Sequence, residues 1–335
     1  MGALAPSTLN DKYIPAWNKF ATWLSSYNIT NLVSVDANIV AAYLSHLFTT
    51  AENNSTGDSS IQLATAAIKF RFNSMGLSAP VSSPYIDLLK NSAKRNLRPR
   101  RSICEPLSAE DIHKLLLTHL TPNCSLKVRM HLTTLLIMFL GLFRFDDIQH
   151  ILVHREFLRF IRSPMGAFIG VLIFIPHSKT DQEGEGDWVA IGATHTAFCP
   201  VHLLSDLLSV GGYCTDSSTM DVGPLLRAVT HKYRPDRLVL TQVVSPFSNP
   251  IKPLSYSSFR SSILALCKPV LIKHIGLHSA RSGGASAAAE VGIDSRLVCG
   301  LGRWKQGTTF ADTYVKMMIG NANKYFQLTK TLWPY

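Results

Sequence analysis

Apolar side chains recur at helical spacing through the first hundred residues. Leu9, Tyr13, Trp17, Phe20 and Leu24 fall on one face, the pattern of a helix with one buried side. Pro15 interrupts this run and is expected to kink it. Asp36 precedes Ile39, Val40, Tyr43, Leu44 and Leu47, where its carboxylate can cap a second helix. The polar stretch 51–60 reads as a loop, and helices are expected over 60–75 and 83–93.

The pattern changes at Pro106. Ser108 and Asp111 form an S-x-x-D capping box before an apolar-periodic helix, and a second helix is expected over 126–142. Strand character follows over 151–161, 168–176 and 188–191, with turns at 163–166 and 184–186. Helical spacing returns over 199–208. Residues 211–255 are mixed, with a hairpin expected at 234–240. Ser255 can cap a helix reaching Leu266, and from His278 onward the chain reads as helix broken at Gly292, Gly300, Gly302 and Gly307. The fold class expected is mainly α with a small antiparallel β-sheet: a helical domain over 1–97, a linker over 98–105 and an α+β domain over 106–335.

Composition supports a folded chain of two domains. Of 335 residues, 46% are hydrophobic, ample material for a core, which excludes wholesale disorder. The longest apolar run, 131–143, is too short for a membrane span of about 20 residues. No basic segment followed by an apolar one opens the chain, so no membrane is expected and the location expected is intracellular. The six cysteines include no C-x-x-C pair and are expected to be reduced. Cys199 and His202 form a C-x-x-H with His195 upstream, but no second pair has matching spacing, so no metal is expected.

Charge narrows the partner. Lys and Arg number 33 against 22 Asp and Glu, a formal net charge of +11, which points to a polyanion. The excess gathers at Lys90, Lys94, Arg95, Arg98, Arg100 and Arg101. Such a segment is either a solvated linker or one lying along phosphates, each cation displacing condensed counterions; the second is the reading favoured here.

Four motifs beyond residue 140 can carry chemistry. In GLFRFDDI, 141–148, Arg144 follows a wholly apolar run, and Asp147, one helical turn on, can hold its guanidinium. In HSKTDQ, 177–182, Lys179 sits where a strand leaves the core for a turn. In GLHSARSGGASAAAE, 276–290, His278 and Arg281 share one helical face, and the small residues after them permit close backbone approach. In GLGRWKQGTTFADTY, 300–314, Trp304 and Tyr314 lie ten residues apart. Taken singly, each has a bland reading: an exposed ion pair, a solvated lysine, a structural H-x-x-R, a core tryptophan.

The ordered set is far more specific. Arg, a turn Lys, His-x-x-Arg, Trp and Tyr in this order resemble the active site of the tyrosine recombinases, the integrase family of DNA strand-exchange enzymes. The resemblance covers about residues 105–320 and is sharpest from Gly276 to Tyr314. The phrases FRFDD, SKTDQ, FCPV and HSARSGG look closest to recombinases of Crypton- and DIRS-like eukaryotic mobile elements.

The resemblance implies a helical core-binding domain joined to a recombinase catalytic domain. It implies cleavage and rejoining of double-stranded DNA through a 3′-phosphotyrosine, with integration or excision of a mobile element as the role. Tyr314 would be the nucleophile, Arg144 and Arg281 would hold the non-bridging oxygens, and Lys179 would protonate the leaving 5′ oxygen. His278 would assist proton removal or bond the phosphate, Trp304 would donate its indole N–H, and Asp147 would orient Arg144. No cofactor is needed, because the phosphotyrosine retains the bond energy. A homo-tetramer on DNA, passing through a Holliday junction and exchanging C-terminal helices, is also implied, with a nuclear location in a eukaryote and a cytoplasmic one in a bacterium or phage. Two rivals share much of the pattern: a DNA-binding protein derived from a recombinase that no longer cuts, and a type IB topoisomerase.

Overall fold

The computed structural model describes residues 9–97, 104–176, 184–213, 223–231, 238–240, 253–304 and 322–335. The chain divides into two compact units, Met1–Ser102 and Ile103–Tyr335.

The first unit is helical. Its helices are α1 (Ile14–Ser26), α2 (Ala37–Asn53), α3 (Ser59–Ser74) and α4 (Pro84–Asn96). Phe20, Leu24, Val40, Tyr43, Leu44, Ile61, Ile68, Phe72 and Ile86 form its core, with the Phe20 and Tyr43 rings 4.9 Å apart. Pro15 lies in the first turn of α1, directly after a π-helical turn, Leu9–Tyr13, so the helical run changes its hydrogen-bonding pattern at the proline. Asp36 caps α2 as expected, accepting from the backbone N–H groups of Asn38 and Ile39 at 2.9 Å each. That helix runs on to Asn53, into the stretch expected to be loop.

The second unit is built on α6 (Leu126–Leu140), which is buried almost all round, as a central core helix must be. Before it, α5 (Ala109–His119) starts on a complete capping box. Asp111 N–H donates to Ser108 Oγ at 3.1 Å, and Ser108 N–H donates to Asp111 Oδ2 at 2.9 Å. After it come the single turn α7 (Phe145–Ile148) and a three-stranded antiparallel sheet, β1 (Leu158–Arg162), β2 (Phe168–Ile175) and β3 (Asp187–Gly192), in that order.

The strand expected from residue 151 begins only at Leu158. Ile151 and Val153 are buried apolar residues, but their backbone bonds go to the segment at 223–225. Val153 N–H donates to Gly223 O at 2.9 Å, and Leu225 N–H to Ile151 O at 2.8 Å. A second small ladder pairs β4 (Val229–His231) with β5 (Leu238–Leu240), so the hairpin starts earlier than residue 234. The helices α8 (Pro200–Val210), α9 (Tyr256–Cys267), α10 (His278–Glu290), α11 (Ser295–Gly302) and α12 (Ala322–Leu332) complete the unit. Among the described residues no helix is long and apolar enough to cross a membrane.

Two close approaches depend on glycine. A Cβ at Gly283 would overlap the Leu107 carbonyl, and one at Gly284 the Phe139 carbonyl, so the glycine pair of the HSARSGG motif lets α10 lie directly against α6 and the strap before α5. Gly170 and Gly192 face each other across β2 and β3. A Cβ on either would overlap Phe326 of α12.

Candidate active site

Arg144 leaves the core where α6 ends. Leu142 takes a left-handed conformation (φ 49°) after the last turn of α6 and redirects the chain. Arg144 then becomes the N-cap residue of α7, and its backbone N–H donates to Asp147 Oδ2 at 2.8 Å. The side chain is half-buried. Among the described residues its Nη1 is buried without a hydrogen-bond partner, as is Asp147 Oδ1.

Arg281 comes from the first turn of α10 and is only 1% exposed. Its Nη1 donates to the Leu142 carbonyl, and its Nη2 to the Gly302 carbonyl at 2.5 Å. Both acceptors lie where helices end, so one guanidinium joins the ends of α6 and α11. Its carbon stands 4.7 Å from the centroid of the Trp304 ring. Trp304 follows α11 and packs back over Gly302, where a Cβ would meet its ring. Two of the five guanidinium donors are used by these carbonyls.

His278 opens α10 and is exposed. Partial desolvation of the ring and then the positive charges of Arg281 and Arg144 hold its pKa below 6.5. It is therefore neutral at pH 7, the state that can accept a proton. Burial, Arg144 and Arg303 push the Arg281 pKa down to about 9, with Asp147 opposing them. Arg281 remains protonated at neutral pH.

Asp147 is placed differently from the sequence expectation. Its carboxylate holds Arg144 through the backbone N–H, while the guanidinium it pairs with belongs to Arg303, Nη2 to Oδ2 at 2.7 Å. The helical register allowed an Arg144–Asp147 side-chain pair. The N-cap position instead aims the carboxylate at the backbone, and a tertiary partner bonds the same oxygen. Arg303 is the residue that sequence reasoning missed. Nothing in its local pattern distinguishes it, beyond a charged residue standing just after a helix where glycine is usual.

Arg144 and Arg303 thus both act on Arg281, with the carboxylate of Asp147 opposing them and paired with Arg303. With one carboxylate among three guanidiniums the array carries two surplus positive charges, an arrangement able to hold an anionic group. The α10 N-terminus adds its own positive end.

Lys179 and Tyr314 lie outside the described residues, as do Arg98, Arg100 and Arg101. Of the other linker cations, Lys94 and Arg95 are exposed in the last turn of α4, and Lys90 pairs with Asp87 at 3.3 Å. The Cys199 and His202 pair serves packing. Cys199 is buried and accepts from Thr194 N–H at 3.4 Å, and the His202 ring stands edge-on to Phe168.

No family model matches the chain. The chain is 24% identical over 327 residues to an integrase/recombinase XerD homolog of Selenomonas ruminantium, covering 91% of this chain and 84% of that one. Among solved structures, the Tn1549 transposon integrase in complex with transposon right end DNA superposes with a TM-score of 0.50 at 9% identity, over 97% of this chain and 94% of that one. An FLP recombinase–Holliday junction complex gives a TM-score of 0.41 at 13% identity, over 68% of this chain and only 50% of that one. The near full-length alignment to the XerD homolog, the fold shared with the Tn1549 integrase, and the order of Arg144, His278, Arg281 and Trp304 make the chain similar to the tyrosine recombinases.

Proposed function

We propose that the protein is a site-specific DNA recombinase that integrates or excises a mobile element, of the Crypton- or DIRS-like kind. The observation that supports this most is the convergence of Arg144, Arg281 and His278 at the ends of α6 and α11 and the start of α10, with Trp304 beneath Arg281. In this reading Tyr314 Oη attacks the scissile phosphorus. The P–O5′ bond breaks, the 3′-phosphotyrosine forms, and the 5′ oxygen leaves with a proton from Lys179. His278, neutral at pH 7, takes the phenol proton or bonds the phosphate. Arg144, with its buried Nη1, and Arg281 hold the non-bridging oxygens as charge builds. Attack by a partner strand's 5′ hydroxyl reverses the step and regenerates Tyr314.

The partner in this reading is double-stranded DNA, gripped along its phosphates by Lys90, Lys94, Arg95, Arg98, Arg100 and Arg101. Strand exchange takes place in a homo-tetramer. Helix α12 rests on its own β3, with Thr329 Oγ1 accepting from Gly192 N–H at 2.9 Å. In the assembled tetramer a neighbour's copy of α12 takes the same seat.

The experiment is a nicked suicide duplex carrying the element's own terminus. The wild-type protein is expected to form a covalent protein–DNA adduct, and Tyr314→Phe is expected to form none. An adduct from Tyr314→Phe would remove Tyr314 as nucleophile. No adduct with authentic ends would leave a DNA-binding protein, and relaxation of any supercoiled plasmid would indicate a topoisomerase.

A further inference from the structure

We infer that Arg303 is a positioning residue for strand cleavage, acting on Arg144 through Asp147; this rests on the reading of Arg144 as a phosphate ligand. Three observations carry it. First, Arg303 holds a left-handed backbone (φ 53°) at the end of α11. An arginine there accepts strain that glycine would avoid, so its side chain must return something. Second, that side chain is turned inward and is only 8% exposed. Its Nη2 meets Asp147 Oδ2 at 2.7 Å, its Nη1 donates to the Leu301 carbonyl at 3.2 Å, and its carbon lies 5.0 Å from the Phe143 ring centroid. Its guanidinium is thus engaged within the fold. Third, the oxygen that Arg303 holds is the one that accepts from Arg144 N–H.

Arg303 therefore fixes the carboxylate that fixes the backbone from which Arg144 projects. It also neutralises that carboxylate, so Asp147 does not draw the guanidinium of Arg144 away from an incoming phosphate. Trp304, the next residue, is set by the same turn. The pair thus coordinates two site residues from elements far apart in sequence.

The test compares Arg303→Gly, Arg303→Lys, Asp147→Asn and the double variant Arg303→Gly/Asp147→Asn. Adduct formation is followed in single turnover at saturating suicide duplex. Arg303→Gly suits the left-handed backbone, so loss of fold is not the expected effect. It should slow cleavage on the order of 100-fold, the scale of a misplaced reacting group, with affinity for the duplex unchanged. Arg303→Lys, which keeps the charge, should recover part of the rate. The double variant should be no slower than Asp147→Asn alone, because Arg303 acts through that carboxylate. If Arg303→Gly fails to fold with Asp147 unpaired, the double variant still carries this comparison.

A folded Arg303→Gly that cleaves at the wild-type rate would overturn the inference, and so would a double variant slower than Asp147→Asn. A second arm needs no activity. In the DNA-free protein, the arginine Nε–H resonance of Arg144 should shift or broaden in Arg303→Lys while that of the distant Arg159 stays in place. An unmoved Arg144 resonance would overturn the inference even if the wild type formed no adduct. Absence of the wild-type adduct would overturn only the proposed function.

Discussion

Arg281 and Trp304 are stacked, guanidinium over indole at 4.7 Å, with the same guanidinium donating to the carbonyls of Leu142 and Gly302. The contact makes the site's geometry a property of two helix ends rather than of one loop. A lysine cannot reproduce it, because an ammonium lacks the planar fork that spans two carbonyls while stacking on a ring. Arg281→Lys should therefore lower stability as well as cleavage. Leaving a buried carbonyl unsatisfied costs about 1–3 kcal/mol, which thermal or denaturant unfolding will register. An Arg281→Lys protein as stable as the wild type would show that these bonds do not hold the helix ends.

How much of this was readable beforehand depended on the range of the interaction. The caps at Asp36, Ser108 and Ser255 were legible because capping joins residues two or three apart. The role of Gly283 and Gly284 was legible because small residues clustered after His278 have few uses other than close packing. The segment 151–157 is not legible in the sequence, because a buried run of Ile151 and Val153 looks the same whether its backbone bonds to a neighbouring strand or to a distant loop. Arg303 was invisible for the same reason: its partner Asp147 lies 156 residues away, and no local spacing reports that distance. The Arg144–Asp147 relation was half legible. The spacing gave the pair, but only the fold shows that the backbone of Arg144 is what the carboxylate grips.

Charge at the linker and charge at the site should separate experimentally. Lys94 and Arg95 are exposed, with no described acidic side chain bonded to them. If each contacts one phosphate, Lys94→Ala and Arg95→Ala should each weaken duplex binding and reduce the slope of log K against log salt by about 1. The cleavage rate of DNA already bound should be unaltered. Arg144→Ala should do the reverse, suppressing cleavage with little change in the salt slope. Identical behaviour of the two classes in filter binding and single-turnover cleavage would refute the division.

The seat of α12 is set by Gly192. The Phe326 backbone itself occupies the space a Cβ would need, and backbone cannot move aside as a flexible side chain can. Gly192→Ala should thus dislodge the helix from β3 and break the bond from Gly192 N–H to Thr329. Overpacking of this kind costs about 1–3 kcal/mol. Hydrogen exchange should show 322–335 losing protection while β1 and β2 keep theirs. The atoms nearest a Cβ at Gly170 belong to the Phe326 ring, a side chain that can turn aside, so Gly170→Ala should be milder. Equal effects, or none on the C-terminal segment, would mean that α12 is held from elsewhere, for instance by Trp333, whose indole donates to the Phe198 carbonyl at 3.0 Å.

His278 offers a test of the site's field that needs no DNA. Its pKa is held below 6.5 by partial desolvation first, then by Arg281 and Arg144. A histidine whose folded pKa is depressed binds fewer protons folded than unfolded, so the folded state is penalised as pH falls from 6.5 through the depressed value. Proton-accepting capacity is lost over the same window, and the adduct-forming rate should fall there and level off above it. Replacing Arg144 by alanine removes one of the two neighbouring cations. The His278 titration followed by NMR in the free protein should then move up toward 6.5, though not fully, because partial desolvation and Arg281 remain. Arg303→Gly, which removes a cation not among those acting on His278, should move it less. If Arg144→Ala leaves the titration in place, the two side chains do not share a field, and the arrangement of a single phosphate between them fails with it.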